Sequence, residues 1–395
     1  MKGCRYFITP AFPSAGIGIK GEAGENEYGV CLSATETLCA NEAALAADPY
    51  VIPGVAESNI PTLVLPYVTT AREAVDRLGM LVETYGSAES NGVVFGDDRE
   101  TWYMEIYTGH QWAAVKCPED RYAVIGNDAM LGYVDPGDTE NCAASETIYT
   151  LAEENGFLKE IGGKPHLAAT YNAELRDYSQ IRVWSGRHWF APSEAGEYDV
   201  ACRYNLFVKP DGKIAVGDMM EFMRYRFEDT EYSCDIPGNN YRPVGIERTA
   251  TAHLFGTAED ASAIAWVALA NPEYSVFMPL YGIPDRVPDA FTTDAAAYDE
   301  NNAYWQFRAV SSLATLDREK YGSEIRAVYK ALETEWIAGQ DAVLEAFDGT
   351  PEAASGLFET VSGKALETAD ALLGRLLTMI SRDAVSASDS FGFDR

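Results

Sequence analysis

The sequence predicts an α+β chain, and three observations carry that expectation. Short apolar or alternating runs, separated by Gly, Pro and Asp turns, recur through most of the chain. From Asn302 onward the apolar spacing turns helical over Tyr304 to Leu316, Ser323 to Ala346 and Ala353 to Arg382. A length of 395 residues with 47% hydrophobic content is enough to bury a large core. There is no internal repeat and no linker long enough to force a boundary. The expected organisation is a mixed core over residues 1–300, with C-terminal helices over 301–395 packed on the same domain.

In chain order, Tyr6-Phe7-Ile8 and Ile17-Gly18-Ile19 predict two short strands around a Pro-containing turn. The stretch Lys20 to Tyr28, with Gly21, Gly24 and Gly29, predicts a loop that takes positive φ or lies close to another chain segment. Val30-Cys31-Leu32 then predicts a buried strand. It runs into Ser33-Ala34-Thr35-Glu36-Thr37, a polar tip suited to facing a ligand. The same residues also suit a helix start, with Thr35 or Thr37 capping the Ala-rich run from Cys39 to Ala47.

Thr69 to Gly86 places Ala71, Ala74, Val75, Leu78, Leu81 and Val82 on one helical face. Asn91–Phe95, Thr101–Tyr107, Trp112–Lys116 and Tyr122–Ile125 predict an antiparallel meander that ends at Gly126-Asn127-Asp128. A looser stretch over 128–175 holds one expected helix, Ser145 to Asn155. A hairpin around Pro210-Asp211-Gly212, a helix from Asp218 to Phe227, and strands over Thr249–Phe255 and Ala263–Ala270 follow. Asn271–Tyr274 and Met278–Tyr281 are expected as aromatic loops that wall a pocket, and the last thirteen residues as a frayed polar end.

Composition excludes several function classes. The balance of 30 basic and 61 acidic residues gives a net charge of -31, which repels nucleic-acid phosphate and anionic lipid. Cysteines at 4, 31, 39, 117, 142, 202 and 234 are odd in number and form no CxxC pair. The four histidines at 110, 166, 188 and 253 share no ligand spacing. Neither a metal, nor a cofactor, nor a disulfide framework is expected, and reduced thiols fit the cytoplasm. Met1 to Pro10 holds no apolar signal region, and no run reaches membrane-spanning length.

The segments GEAGENEYGVCLSATET, NEAALAADPYV, LVLPYVTTAREAVDRLGMLVETYGSAESNGVVFGD, MMEFMRYRFEDTEY, RPVGIERTATAHLF, WVALANPEYSVFMPLYGIPDRVPDAF and AYWQFR, in that order, resemble the C69 dipeptidases. These are N-terminal nucleophile (Ntn) hydrolases related to penicillin and bile-salt amidases. The resemblance implies a four-layer αββα sandwich, two antiparallel sheets with helices outside, and a thiol protease that cleaves dipeptides. Family members begin the mature chain with Cys followed by Thr or Ser, and carry an Arg-Asn-Glu-Asp motif before the GEAG segment. Neither is present here. The nucleophile is therefore expected upstream of Met1, and loss of the first strands would open a sheet edge and favour a homo-oligomer. The alternative is an inactive Ntn-fold chain serving as a binding or partner subunit.

By the same resemblance, Asn127 takes the place of the amide donor to the oxyanion, and Arg182 that of the arginine beside the nucleophile. Arg176 and Arg187 flank Arg182, so the match is open by one segment. Thr35 and Glu36 fall where substrate is bound. Cys4 is the candidate nucleophile within the chain, although Cys4-Arg5-Tyr6 differs from the family start. Arg242 and Arg248 have the chemistry to hold a substrate carboxylate, and equally suit surface ion pairs.

Overall fold

The computed structural model describes residues 3–10, 20–256, 264–292 and 295–389. They fall into two compact units, one over 3–10 and 20–244 and one over 245–256, 264–292 and 295–389. Antiparallel sheets combined with helices place the chain in the expected α+β class. Among the described residues, no helix is long and apolar enough to cross a membrane.

In the first unit, seven strands lie side by side in chain order: β1 (Tyr6–Pro10), β2 (Gly21–Asn26), β3 (Cys31–Thr35), β4 (Asn91–Gly96), β5 (Thr101–Ile106), β6 (Trp112–Lys116) and β7 (Cys142–Ala144). Between β3 and β4 the chain forms α1 (Glu42–Ala47), α2 (Ile60–Val64) and α3 (Ala71–Tyr85). Strand alternation gives the sheet two buried faces. Leu32, Ala34, Val93, Phe95, Trp102, Met104 and Ile106 pack with Val64, Val75, Leu78 and Val82 of α2 and α3. Tyr103, Tyr107 and Ala113 face the other way, onto Leu131, Val134, Leu167 and Tyr171.

Helix α3 follows its sequence signature: Thr70 accepts the Glu73 amide, and the predicted apolar face is buried. Helix α1 is capped by Asn41, whose side chain accepts the Ala44 amide at 2.9 Å, and not by Thr35 or Thr37. The expected loop over the GEAG residues is instead strand β2. Gly24 serves close approach there, since a Cβ on it would lie 2.2 Å from the Phe7 carbonyl oxygen; Gly29, at φ 74°, makes the following turn. Asn26 closes that turn by accepting the Tyr28 and Val30 amides and donating to the carbonyls of Leu65 and Val68.

The rest of the first unit adds α4 (Thr150–Glu154), a small ladder of β8 (Glu160–Ile161) and β9 (Lys164–Pro165), then α5 (Leu167–Tyr171), α6 (Asp177–Phe190) and α7 (Val216–Phe222). Helix α4 is shorter than the span predicted around it. Tyr122–Ile125 does not extend the meander. Tyr122 makes one bridge to Val208, its hydroxyl donates to the Gly186 carbonyl of α6, and Val124 packs over Gly186, so the segment leaves the sheet for the helix. β7 takes the edge position instead. That bridge also replaces the hairpin expected around Pro210-Asp211-Gly212, and α7 spans Val216–Phe222 where a helix from Asp218 to Phe227 was expected.

The second unit holds β10 (Thr251–Phe255), β11 (Ile264–Leu269) and β12 (Met278–Tyr281), with α8 (Ala303–Ala314), α9 (Ser323–Ala346) and α10 (Pro351–Asp389). Met278–Tyr281 is thus a strand, not a loop; Pro279 is tolerated because β12 is an edge strand. Helix α10 runs past the expected Arg382, where Lys320 donates to Asp383 at 2.5 Å. Ile17-Gly18-Ile19, Ala263 and the final residues 390–395 lie outside the described residues.

Glu25 of β2 is 4% exposed, and burial pushes its carboxyl up to about 8. The folded state then holds a proton that the unfolded chain, titrating near 4.5, releases. This contribution to stability is complete below pH 4.5 and is lost as pH rises to about 8. Urea unfolding between pH 5 and 8.5 tests it: Glu25→Gln should flatten the decline and be more stable than the parent at pH 8 by roughly 2 kcal/mol. Parallel pH profiles for the two proteins would contradict this assignment.

Candidate functional site

On the second face of the seven-stranded sheet lies a cavity of about 350 Å³. Its floor follows from strand register: Ser33 pairs with Val94 and Val94 with Tyr103, while Thr35 pairs with Gly92. Ser33, Thr35 and Thr37 repeat with period two and line the same cavity. Gly92 keeps the floor open, since a Cβ there would lie 3.1 Å from Thr37 Oγ1 and 3.2 Å from the Tyr103 hydroxyl.

Tyr103 is fixed from below. Its hydroxyl donates to Glu105 Oε1 at 3.0 Å, and Tyr107 donates to Oε2 at 2.7 Å. The amides of Met130 and Leu131 donate to the same carboxylate, which is fully buried. Burial pushes Glu105 up, and these four donors act against that shift.

The walls come from two distant parts of the chain. Asn127 ends the segment that leaves the sheet, and its amide donates to Ser179 Oγ at 2.8 Å. Arg182, one turn further along α6, donates from Nε to the Tyr178 carbonyl at 2.8 Å and from Nη2 to Asn127 Oδ1. A guanidinium is donor-only, so Asn127 presents its oxygen to Arg182 and keeps its NH2 group as the donor for a ligand. Arg242 completes the lining. Burial, and next the charge of Arg242, pushes Arg182 down to about 10.

Asp128 ties these parts together. It is 1% exposed and accepts from Arg176 Nε at 2.8 Å, from the Arg176 amide at 3.1 Å and from Gln180 Nε2 at 3.2 Å. Arg176 in turn donates from Nη2 to the Thr37 carbonyl at 2.8 Å. The strand tip, the Asn127 segment and the start of α6 thus share one ion pair.

Of the residues singled out from the sequence, Thr35, Asn127, Arg182 and Arg242 line one cavity, and Arg248 does not. Glu36 does not line the cavity; its carboxylate converges with those of Glu57 and Glu89, and Lys20 pairs with Glu57 at 2.8 Å. Burial, then the charges of Glu89 and Glu57, push Glu36 up. Cys4 lies apart from the cavity lining: its thiol donates to the Leu65 carbonyl at 3.2 Å, and burial pushes it up. Ser33, Thr37 and Tyr103 were not singled out as individual site residues. The period-two spacing of the first two was a readable signal; the contribution of Tyr103 depends on cross-strand register.

The family model for peptidase family C69 matches residues 1–331. A probable dipeptidase B of Streptococcus pyogenes serotype M1 is 33% identical over 344 residues, covering 82% of this chain and 69% of its own length. A probable dipeptidase of Latilactobacillus sakei is 31% identical over 370 residues, covering 87% and 75%. One of Salmonella dublin is 34% identical over 272 residues, covering 66% and 63%. The chain belongs to peptidase family C69.

Replacing Asp128 by Asn should remove the charge that compensates Arg176 and destabilise the protein by about 2–3 kcal/mol in chemical denaturation. A change below about 0.5 kcal/mol would show that the pair does not hold the site together.

Proposed function

We propose that the chain is a dipeptidase of the Ntn class, built on the four-layer αββα plan, in which a cysteine thiolate attacks a dipeptide amide over the cavity. The observation that carries this reading is the pairing of Asn127 with Arg182, 55 residues apart, on the wall of a cavity floored by hydroxyl groups. The names of the family relatives support the substrate class.

The thiolate forms a bond to the carbonyl carbon, and the carbonyl oxygen gains negative charge. Asn127 Nδ2 donates to that oxyanion, and its oriented, neutral amide stabilises charge as it develops. The α-amine of the nucleophilic residue takes the thiol proton and passes it to the leaving nitrogen as the C–N bond breaks. Water then attacks the thioester, releasing the acid and regenerating the thiol. The positive charge of Arg182 favours the thiolate.

None of the described residues lining the cavity is a cysteine, and Cys4 is committed to Leu65. The reading therefore requires an attacking thiol from outside the described lining. The same observation favours a second reading, a chain that keeps the pocket and binds peptides without cleaving them. The free state of all seven thiols supports a reducing compartment.

The test is dipeptide hydrolysis by the complete gene product. Activity should survive chelator and be abolished by thiol alkylation, and Asn127→Ala should lower kcat about 100-fold while moving KM little. Activity lost to chelator but untouched by alkylation, or an unchanged kcat in the variant, would refute the mechanism. Dipeptide binding without any turnover would establish the second reading.

A further inference from the structure

Away from the cavity, three carboxylates meet. One oxygen each from Glu36, Glu57 and Glu89 lies within 4.8 Å of the other two. Glu36 follows β3, Glu89 precedes β4, and Glu57 stands between Val55 and Ile60, which belong to the same buried cluster as Val93 and Phe95. The Glu57 amide donates to Glu89 Oε1 at 2.6 Å.

In a protein of net charge -31, acidic side chains gather in places without any ligand. Asn91 sets this group apart. It is fully buried, and neither its Oδ1 nor its Nδ2 has a hydrogen-bond partner. Buried amides are ordinarily bonded at both atoms, so this one lacks an occupant of its surroundings.

Its place in β4 sets where it points. Side chains alternate along a strand, so Asn91 shares a face with Val93 and Phe95, away from the cavity lined by Gly92 and Val94. The register pairs Ala34 with Val93 and Thr35 with Gly92, which carries the next residue, Glu36, alongside Asn91. Glu89 lies two residues before it, and Glu57 is tied to Glu89 and rises from the layer that covers this face. The orphaned amide is thus aimed among the three carboxylates.

The chain supplies one cation here, Lys20, whose Nζ lies 2.8 Å from Glu57 Oε2. Three carboxylates less one ammonium leave two negative charges, the charge of a divalent ion. Burial, then the charges of Glu89 and Glu57, push Glu36 up, and a bound cation relieves the second cause.

We propose that Glu36, Glu57 and Glu89, with the Asn91 carbonyl oxygen, form a binding site for calcium. The donor set is all oxygen, which selects a hard cation. Ligands at about 2.4 Å from one ion lie at most about 4.8 Å apart, and the flexible coordination of calcium accepts irregular carboxylate sets. The ion ties the end of β3, the approach to β4 and the segment before α2 to one another. None of its ligands lines the cavity, so it acts on stability and stands apart from the peptide chemistry.

The experiment is calorimetric titration of the chelator-treated full chain with calcium chloride and with magnesium chloride in 0.1 M salt. One calcium should bind per chain with Kd of about 10 μM, and magnesium at least about tenfold more weakly. Glu36→Gln should weaken calcium about 30-fold and Asn91→Leu about tenfold, while Lys20→Met, which removes the competing ammonium, should tighten it about tenfold. Calcium should raise the melting temperature of the parent and not of Glu36→Gln. Circular dichroism verifies folding; Glu36 is exposed, so its variant and Lys20→Met decide the outcome if Asn91→Leu unfolds. No saturable binding, or several weak sites that no substitution moves, as the acidic surface at large gives, overturns the site. Tighter binding of magnesium overturns the assignment to calcium, and an unchanged affinity in folded Asn91→Leu overturns the amide ligand.

Discussion

The buried ion pair between Asp128 and Arg176 is the constraint on which the site depends. A carboxylate 1% exposed is tolerable only when its oxygens are saturated, and here a guanidinium, a helix-terminal amide and a glutamine amide do so. Because that amide belongs to Arg176, the N-cap of α6, the charge also favours the helix dipole. The second arm of Arg176 reaches the strand tip at Thr37, so two remote chain segments are fixed relative to the sheet. Asn127 and Arg182 inherit their positions from that arrangement: one is next in sequence to Asp128, the other on the helix that begins at the pair.

The sheet supplies the other half of the design. Its two faces are both covered, one by α2 and α3 and the other by the segments after β6. Polar residues on the second face must then be satisfied internally or open into the cavity. Glu105 is satisfied by four donors, and Ser33, Thr35 and Thr37 also line the cavity. The change from apolar core to ligand floor occurs along a single strand, β3, and its continuation.

Local periodicity made the long helices and the central strands readable. Ser323–Ala346 coincides with its predicted span, and α3 shows the cap and the stripe expected of it. What failed were segments whose structure is set by distant partners. Tyr122–Ile125 has strand composition but is drawn off the sheet by Gly186, and the glycines of the GEAG segment read as a loop until Phe7 is seen packed against Gly24. At the site, Thr35 is the last residue of β3 and lines the cavity, whereas Glu36, just past the strand, joins the carboxylates of Glu57 and Glu89. The family resemblance indicated Asn127 and Arg182, but their contact, and the approach of Arg242, arise only from the fold.

The commitment of Tyr103 to Glu105 has a consequence for recognition. A phenol has one hydrogen to give, and that hydrogen is engaged below the floor. Toward the cavity its oxygen is therefore an acceptor alone, in a cavity whose lining also includes the guanidinium groups of Arg182 and Arg242. The floor therefore offers a lone pair where the guanidinium groups of the lining offer positive charge, so hydrogen-bond character changes across a single cavity.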